Sequence, residues 1–167
     1  MKIIITGALG HIGSYLIRNL KLINKIKTLY LIDNLSSERY GSLYDLKKSH
    51  YQFIDIDLSK EKINLKKIDL IIHLAARTNA AQSSKYKKEF YNNNFKATKN
   101  IVEYCINNKT KLIFASTTSV YGPQSKYVDE DCSDNDLNPQ SPYANVKLME
   151  EKYIIKKFKN LKNSYLI

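Results

Sequence analysis

Thr6-Gly7-Ala8-Leu9-Gly10-His11-Ile12-Gly13 decides the fold of this chain, because an apolar run stops there and a helical pattern starts from it. The run Ile3-Ile4-Ile5 before it is short, continuous and β-branched, which predicts a buried strand. The apolar spacing over residues 12–23 predicts a helix. Between strand and helix, Gly7 permits a sharp turn and Gly10 lets backbone N–H groups approach a pyrophosphate. Gly13 lets the helix sit close against the strand, with an anion at its N-terminus, where the unpaired N–H groups point.

Outward from this turn the same alternation repeats. Short apolar runs at residues 29–32, 53–56, 70–74 and 112–115 predict further strands. Helical spacing recurs at residues 43–48, 90–106 and 143–158. Strands apolar on both faces, alternating with helices, imply a parallel sheet covered on each side. The expected fold is a doubly wound α/β sheet of the Rossmann type. Asp33 ends the second run, 20 residues beyond Gly13, where a carboxylate accepts hydrogen bonds from an adenosine ribose. The same charge repels a 2′-phosphate, so NAD is favoured over NADP. The competing reading is that Asp33 merely begins a turn with Asn34.

With 167 residues the chain has the length of one domain, and nothing in its composition divides it. Its formal charge of +11 comes from 27 Lys and Arg against 16 Asp and Glu. The lysines are scattered and do not form a stripe with stacking aromatics, so a nucleic-acid partner is not expected. Cys105 and Cys132 have no metal or redox spacing and suit a reduced cytosol. His11, His50 and His73 have no neighbouring ligand pattern, so no metal is expected. No stretch is apolar enough to span a bilayer, and Met1 leads straight into a strand without a leader; a cytoplasmic location is expected. The segment 122–142 holds all three prolines and the acidic run Asp129-Glu130-Asp131, and a loop of that length is either functional or disordered. Ser164-Tyr165-Leu166-Ile167 reads as the first half of a sixth strand. Residues 1–167 therefore read as an incomplete dinucleotide-binding domain, interrupted within that strand.

The turn has the spacing G-x-x-G-x-x-G. Asp57-Leu58 follows the third strand, and His73-Leu74-Ala75-Ala76 ends the fourth. Asn94-Phe95-Lys96-Ala97-Thr98 lies in the long helix. Ser116-Thr117-Thr118-Ser119-Val120-Tyr121-Gly122 and Ser141-Pro142-Tyr143-Ala144-Asn145-Val146-Lys147 complete the order. Together these resemble the extended short-chain dehydrogenase/reductase family, the NAD-dependent epimerases and dehydratases, over the whole chain. The resemblance implies that Asp57 and the backbone after it hold the adenine, and that Asn94 steadies the region around the nicotinamide. The candidate cofactor residues are thus Gly7, Gly10, His11, Ile12, Gly13, Asp33, Asn34, Asp57, Leu58, Ala75, Ala76, Asn94, Tyr143 and Lys147.

Tyr143 and Lys147 are four apart at the start of a predicted helix and share a face. A free phenol, with a pKa near 10, is a poor base at neutral pH. A Lys ammonium about 4 Å away, at an effective dielectric near 20, favours the phenolate by at most about 4 kcal/mol. The positive nicotinamide ring would push the same way, which predicts a phenol lowered toward the operating pH. By resemblance, Tyr143 removes a proton from a sugar hydroxyl while NAD takes the hydride. Lys147 holds the cofactor ribose, and Thr117 hydrogen-bonds the reacting oxygen. Dehydratases of the family carry a Glu two residues after that Thr, often preceded by Asp; here Thr118 and Ser119 stand instead. Elimination of water needs an acid or base in reach, so epimerisation or keto reduction is favoured. Asp33-Asn34-Leu35 and Gln140-Ser141-Pro142-Tyr143 look most like UDP-glucose 4-epimerases and their near relatives, with a UDP-hexose as substrate. The alternatives are a non-catalytic dinucleotide-binding stub, or an NDP-sugar reductase or dehydratase. The resemblance also implies a homodimer through helices 90–106 and 143–158, for which Ile101, Val102, Cys105, Leu148 and Ile155 offer apolar surface.

Overall fold

A computed structural model of the chain describes residues 1–20, 25–44, 46, 51–125, 127–161 and 164–167. Six strands, β1 (Lys2–Thr6), β2 (Thr28–Asp33), β3 (Tyr51–Asp55), β4 (Leu70–His73), β5 (Lys111–Phe114) and β6 (Tyr165–Leu166), form one sheet in the order β3-β2-β1-β4-β5-β6. Every described pairing is parallel. The fold class read from the sequence is the one observed, including Tyr165–Leu166 as a strand beside β5.

Consecutive strand residues face opposite sides of the sheet, and both sides are apolar. Ile3, Ile5, Leu29, Leu31 and Ile72 form one core with Ala8 and with Ile17 of helix α1 (His11–Leu20). Ile4, Tyr30, Ile32, Ile71, Leu112 and Phe114 form the other. It is closed by Ile101, Val102 and Cys105 of α4 (Lys96–Asn108) and by Ile154 and Phe158 of α5 (Pro142–Phe158). Each fully buried Ile or Leu contributes about 2 kcal/mol relative to exposure. The described part of the first helix ends at Leu20, and half of the helix expected over 43–48 lies outside the described residues. What is seen there is a 3₁₀ turn at Tyr40–Leu43.

Between β4 and α4 come two short helices that the periodicity missed, α2 (Ala80–Ser83) and α3 (Lys87–Phe90), and then a π-helical turn at Tyr91–Phe95. Each short helix spans barely one turn, too few residues for a periodic signal. Local chemistry still marks α2: the Asn79 side chain accepts a hydrogen bond from Gln82 N at 3.1 Å as an N-cap.

Ile101, Val102 and Cys105, offered above as dimer surface, are consumed by the chain's own sheet. Of the other residues offered, Leu148 is half-buried and Ile155 is exposed at 49%, beside Met149 of the same helix at 44%. No described helix is long and apolar enough to cross a membrane. The segment 122–142 is tied down by its own bonds. Asn138 N donates to Val120 O at 3.0 Å, and Gln124 Nε2 donates to the carbonyls of Tyr121 and Asp136.

Candidate active site

The turn after β1 is shaped by what its glycines leave out. Gly7 has φ +62°, and a Cβ there would stand 2.7 Å from Ala75 N. A Cβ on Gly13 would stand 2.4 Å from Gly7 O. Thr6 locks the same approach from below, its hydroxyl oxygen accepting from Leu74 N and Ala75 N at 3.2 Å each. The strand ends of β1 and β4 are thereby pressed together, and α1 starts directly above them.

Asp33 begins a turn and also lines the cleft. Its Oδ2 accepts from Leu9 N and its Oδ1 from Leu35 N, both at 3.0 Å, so it does begin a turn. It also clamps the glycine turn, and it lines the cleft. A carboxylate has about four acceptor sites, so two remain for a ligand. At Asp57, burial pushes the carboxyl up, but bonds from Ser59 and Lys60 together hold it below its usual range.

One cleft of about 580 Å³ runs along these strand ends. Gly7, Gly10, His11, Ile12, Gly13, Asp33, Asn34, Asp57, Leu58, Ala75, Ala76, Tyr143 and Lys147 all line it. Asn94 does not. It is buried behind the wall, where its side chain accepts from Arg77 N at 2.8 Å and donates to Arg77 O at 3.0 Å. The π-helical turn supplies the extra residue that brings both Asn93 to the cleft and Asn94 to this clamp. Arg39, Arg77, Asn79 and Gln82 also line the cleft and were not singled out in the sequence. An Arg directly after Leu74-Ala75-Ala76 was the available signal for Arg77.

At the far end, Ser141 caps α5 by accepting from Ala144 N at 3.1 Å, and Pro142 occupies the first turn, where its missing N–H costs nothing. This start point fixes Tyr143 in the first turn and Lys147 one turn on. Tyr143 is buried edge-on to Phe90, and its N–H donates to Ser83 Oγ at 3.2 Å. Burial raises the phenol above its ordinary value, a hydrogen bond with Thr117 lowers it, and the charge of Glu150 raises it again. In the chain alone, then, the phenol is displaced upward, against the expectation that Lys147 would draw it down. Burial is the main cause, and Lys147 is held by other groups. Its Nζ lies 3.2 Å from Glu150 Oε2, donates to Ala115 O at 3.0 Å and stands 4.3 Å from the centre of the Phe114 ring. Thr117 sits at the head of a 3₁₀ turn (Thr118–Val120), capping Ser119 N, beside Tyr143 but outside the lining of the main cleft. A second, shallow hollow is lined by Thr118, Ser119, Gly122, Gln140 and Ser141.

A glycine turn without side chains, two carboxylates along one wall and a Tyr–Lys pair at the other end are thus joined in one cleft. The sequence profile of the NAD dependent epimerase/dehydratase family matches residues 3–163. The chain belongs to that family. Among its relatives, UDP-glucose 4-epimerase of Caenorhabditis elegans is 31% identical over 93% of this chain and 49% of its own length. The dTDP-D-glucose 4,6-dehydratase of Dictyostelium discoideum is 32% identical over 99% of this chain and 42% of its own. The crystal structure of UDP-glucuronic acid 4-epimerase from Bacillus cereus, in complex with UDP-glucuronic acid and NAD, superposes with a TM-score of 0.86. It is 34% identical, with all of this chain and 55% of that one covered. The chain therefore spans about half the length of the family members it matches. Among the described residues no cluster of His, Cys, Asp and Glu is arranged to hold a metal ion.

Proposed function

We propose that this chain is the NAD-binding part of a nucleotide-sugar 4-epimerase acting on a UDP-hexose. One observation carries the reading: Tyr143 and Lys147 line the same cleft as the glycine turn and Asp33. The cradle from Gly7 to Gly13 suits a pyrophosphate because a Cβ would fill the space at either end of it. Asp33 would take the ribose diol with its remaining acceptor sites, Asp57 and Leu58 the adenine, and Asn94 would hold the Arg77 backbone at the nicotinamide end. When bound, NAD supplies a reversible acceptor for the hydride at the sugar carbon.

Tyr143 would accept the proton of the sugar hydroxyl at its phenolic oxygen and return it, with Thr117 orienting that oxygen. A Lys ammonium has three N–H donors; one goes to Ala115 O, and with Glu150 paired by charge a further N–H would reach the ribose. Because burial and Glu150 hold the phenol up, the lowering needed for base catalysis must come from charge brought by the ligand. Epimerisation is favoured over dehydration because Thr118 and Ser119 place hydroxyls, not carboxyls, along the hollow beside Tyr143.

The test fuses the chain to the carboxy-terminal half of a UDP-hexose 4-epimerase and follows interconversion of UDP-glucose and UDP-galactose. Tyr143→Phe is expected to cost about 10² to 10⁴ in turnover while NAD affinity of the chain stays within about threefold. Near-normal turnover of that variant would overturn the assignment of the base.

A further inference from the structure

Behind Lys147 lies a line of buried polar side chains that crosses the sheet. Glu150 is 1% exposed and Lys147 4%, a depth at which charged residues occur only when paired. Glu150 Oε2 faces the Lys147 ammonium at 3.2 Å, and Oε1 accepts from Thr98 Oγ1 at 2.5 Å. Thr98 Oγ1 is 3.1 Å from His73 Nε2, and His73 Nδ1 is 2.6 Å from Thr6 Oγ1. Thr6 in turn accepts from Leu74 N and Ala75 N.

The donors sort themselves from the charged end. The ionised carboxylate only accepts, so Thr98 donates to it. The Thr98 oxygen then accepts from Nε2–H of His73, which leaves Nδ1 to accept the Thr6 hydroxyl proton. Thr6 has its own lone pairs free for the two backbone amides. The hydroxyls and the imidazole are satisfied in one direction only, with the neutral Nε2–H tautomer the form that fits, while Glu150 Oε2 has no hydrogen bond and meets Lys147 as an ion pair. Thr98 comes from α4, His73 from β4 and Thr6 from β1, so the carboxylate of Glu150 is held by elements other than its own.

We infer that Glu150 is a positioning residue for Lys147: its carboxylate anchors the ammonium against Ala115 and sets how strongly that charge acts on Tyr143. The anchoring follows from the geometry alone; the consequence for catalysis rests on the proposed roles of Tyr143 and Lys147. The charged and titratable groups around Glu150 are Lys147, Glu151 and Tyr143 on α5 and His73 on β4, while α4 presents the uncharged Thr98. Glu151 is turned to Ser116, from which it accepts a hydrogen bond. Removing the charge of Glu150 while keeping its shape therefore leaves the Lys147 ammonium unbalanced and takes away a negative charge that raises the phenol.

The test is titration of Tyr143 in the chain labelled with ¹³C at the tyrosine ζ carbons, with Tyr143→Phe identifying the resonance. In Glu150→Gln the midpoint is expected to fall by about half a pH unit or more relative to wild type, with NAD affinity within about threefold. A folded Glu150→Gln protein with an unmoved midpoint would overturn the proposal. A role in packing alone, with the carboxyl uncharged, would not move it. Should Glu150→Gln fail to fold, ¹⁵N spectra of wild-type lysine ammonium groups decide. One Nζ, assigned by its loss in Lys147→Ala, is expected to be protected from solvent exchange and coupled to a Glu side-chain carbon, and its absence overturns the proposal equally. Both readouts concern ionisation, not turnover, so a chain that shifted Tyr143 yet bound no NAD would refute the cofactor reading and leave this one standing.

Discussion

At the glycine turn of residues 7–13, geometry is set by backbone and by the absence of side-chain atoms, whereas at Lys147 it is set by a succession of buried side chains. Gly7 lies against Ala75 and Gly13 against the Gly7 carbonyl, so the cradle tolerates no added carbon, yet none of its glycines carries a proton that can titrate. The line from Thr6 through His73, Thr98 and Glu150 to Lys147 consists of polar groups whose bonds depend on protonation state. One end of the cleft is therefore vulnerable to volume and the other to charge.

Four measurements sharpen or break that contrast. The largest effect is expected from Glu150→Leu, which strands a buried ammonium and the Thr98 hydroxyl together. About 3–5 kcal/mol of stability should be lost in urea unfolding, the cost of breaking one partner of a buried pair. A loss below about 1 kcal/mol would mean that the pair is solvated. Gly7→Ala should cost about 3 kcal/mol through its positive φ and the overlap with Ala75, and it should weaken NAD binding at least tenfold. Were its stability cost independent of pH between 4 and 8 while that of Glu150→Leu varied, the division into volume and charge would hold.

The third measurement concerns His73, whose imidazole is pushed down to about 3 by burial and by the nearby charge of Lys147. A base lowered on folding leaves the unfolded chain holding the extra proton, so its contribution is complete above about pH 6.5 and drains away as pH falls toward 3. Relative to His73→Gln, wild type should lose about 1.4 kcal/mol per pH unit across that window. Glu150 and Glu151, held above the usual carboxyl range chiefly by burial, work in the opposite sense but are common to both proteins. A difference flat in pH would show an imidazole already open to protons. The smallest effect is expected for Asp33→Ala, which frees the amides of Leu9 and Leu35. About 1 kcal/mol of stability and a narrowed preference for NAD over NADP should follow, and calorimetric titration with both dinucleotides would read the latter.

The same division explains what could be read in advance. All six strands and the glycine turn were legible because short apolar runs and the absence of a Cβ are local properties of the chain. Asp33, Tyr143 and Lys147 were legible from their distance to such landmarks, and Ser141-Pro142 announced the helix start that places the last two. Glu150 was not. In a helix that also carries Lys147, Glu151, Lys152, Lys156 and Lys157, one more charge looks like solvated surface, and only Thr98, 52 residues away, shows otherwise. His73 was passed over as an isolated imidazole because its partners stand 67 and 25 residues off. The direction of the Tyr143 shift was missed because Lys147 was weighed without the burial of the phenol and without the charge of Glu150.

The bond between Thr6 and His73 also has a place in time. β1 is the middle of the sheet order, but the strand on its β4 side is translated 67 residues later. A nascent chain can pair β1 with β2 early, yet that side of β1 stays open until His73 has left the ribosomal tunnel. At about 5–20 residues per second, that is a delay of several seconds. During it Ile3, Ile4 and Ile5 form an unpaired apolar edge, and shielding of that edge by a chaperone would act in this interval and not after it.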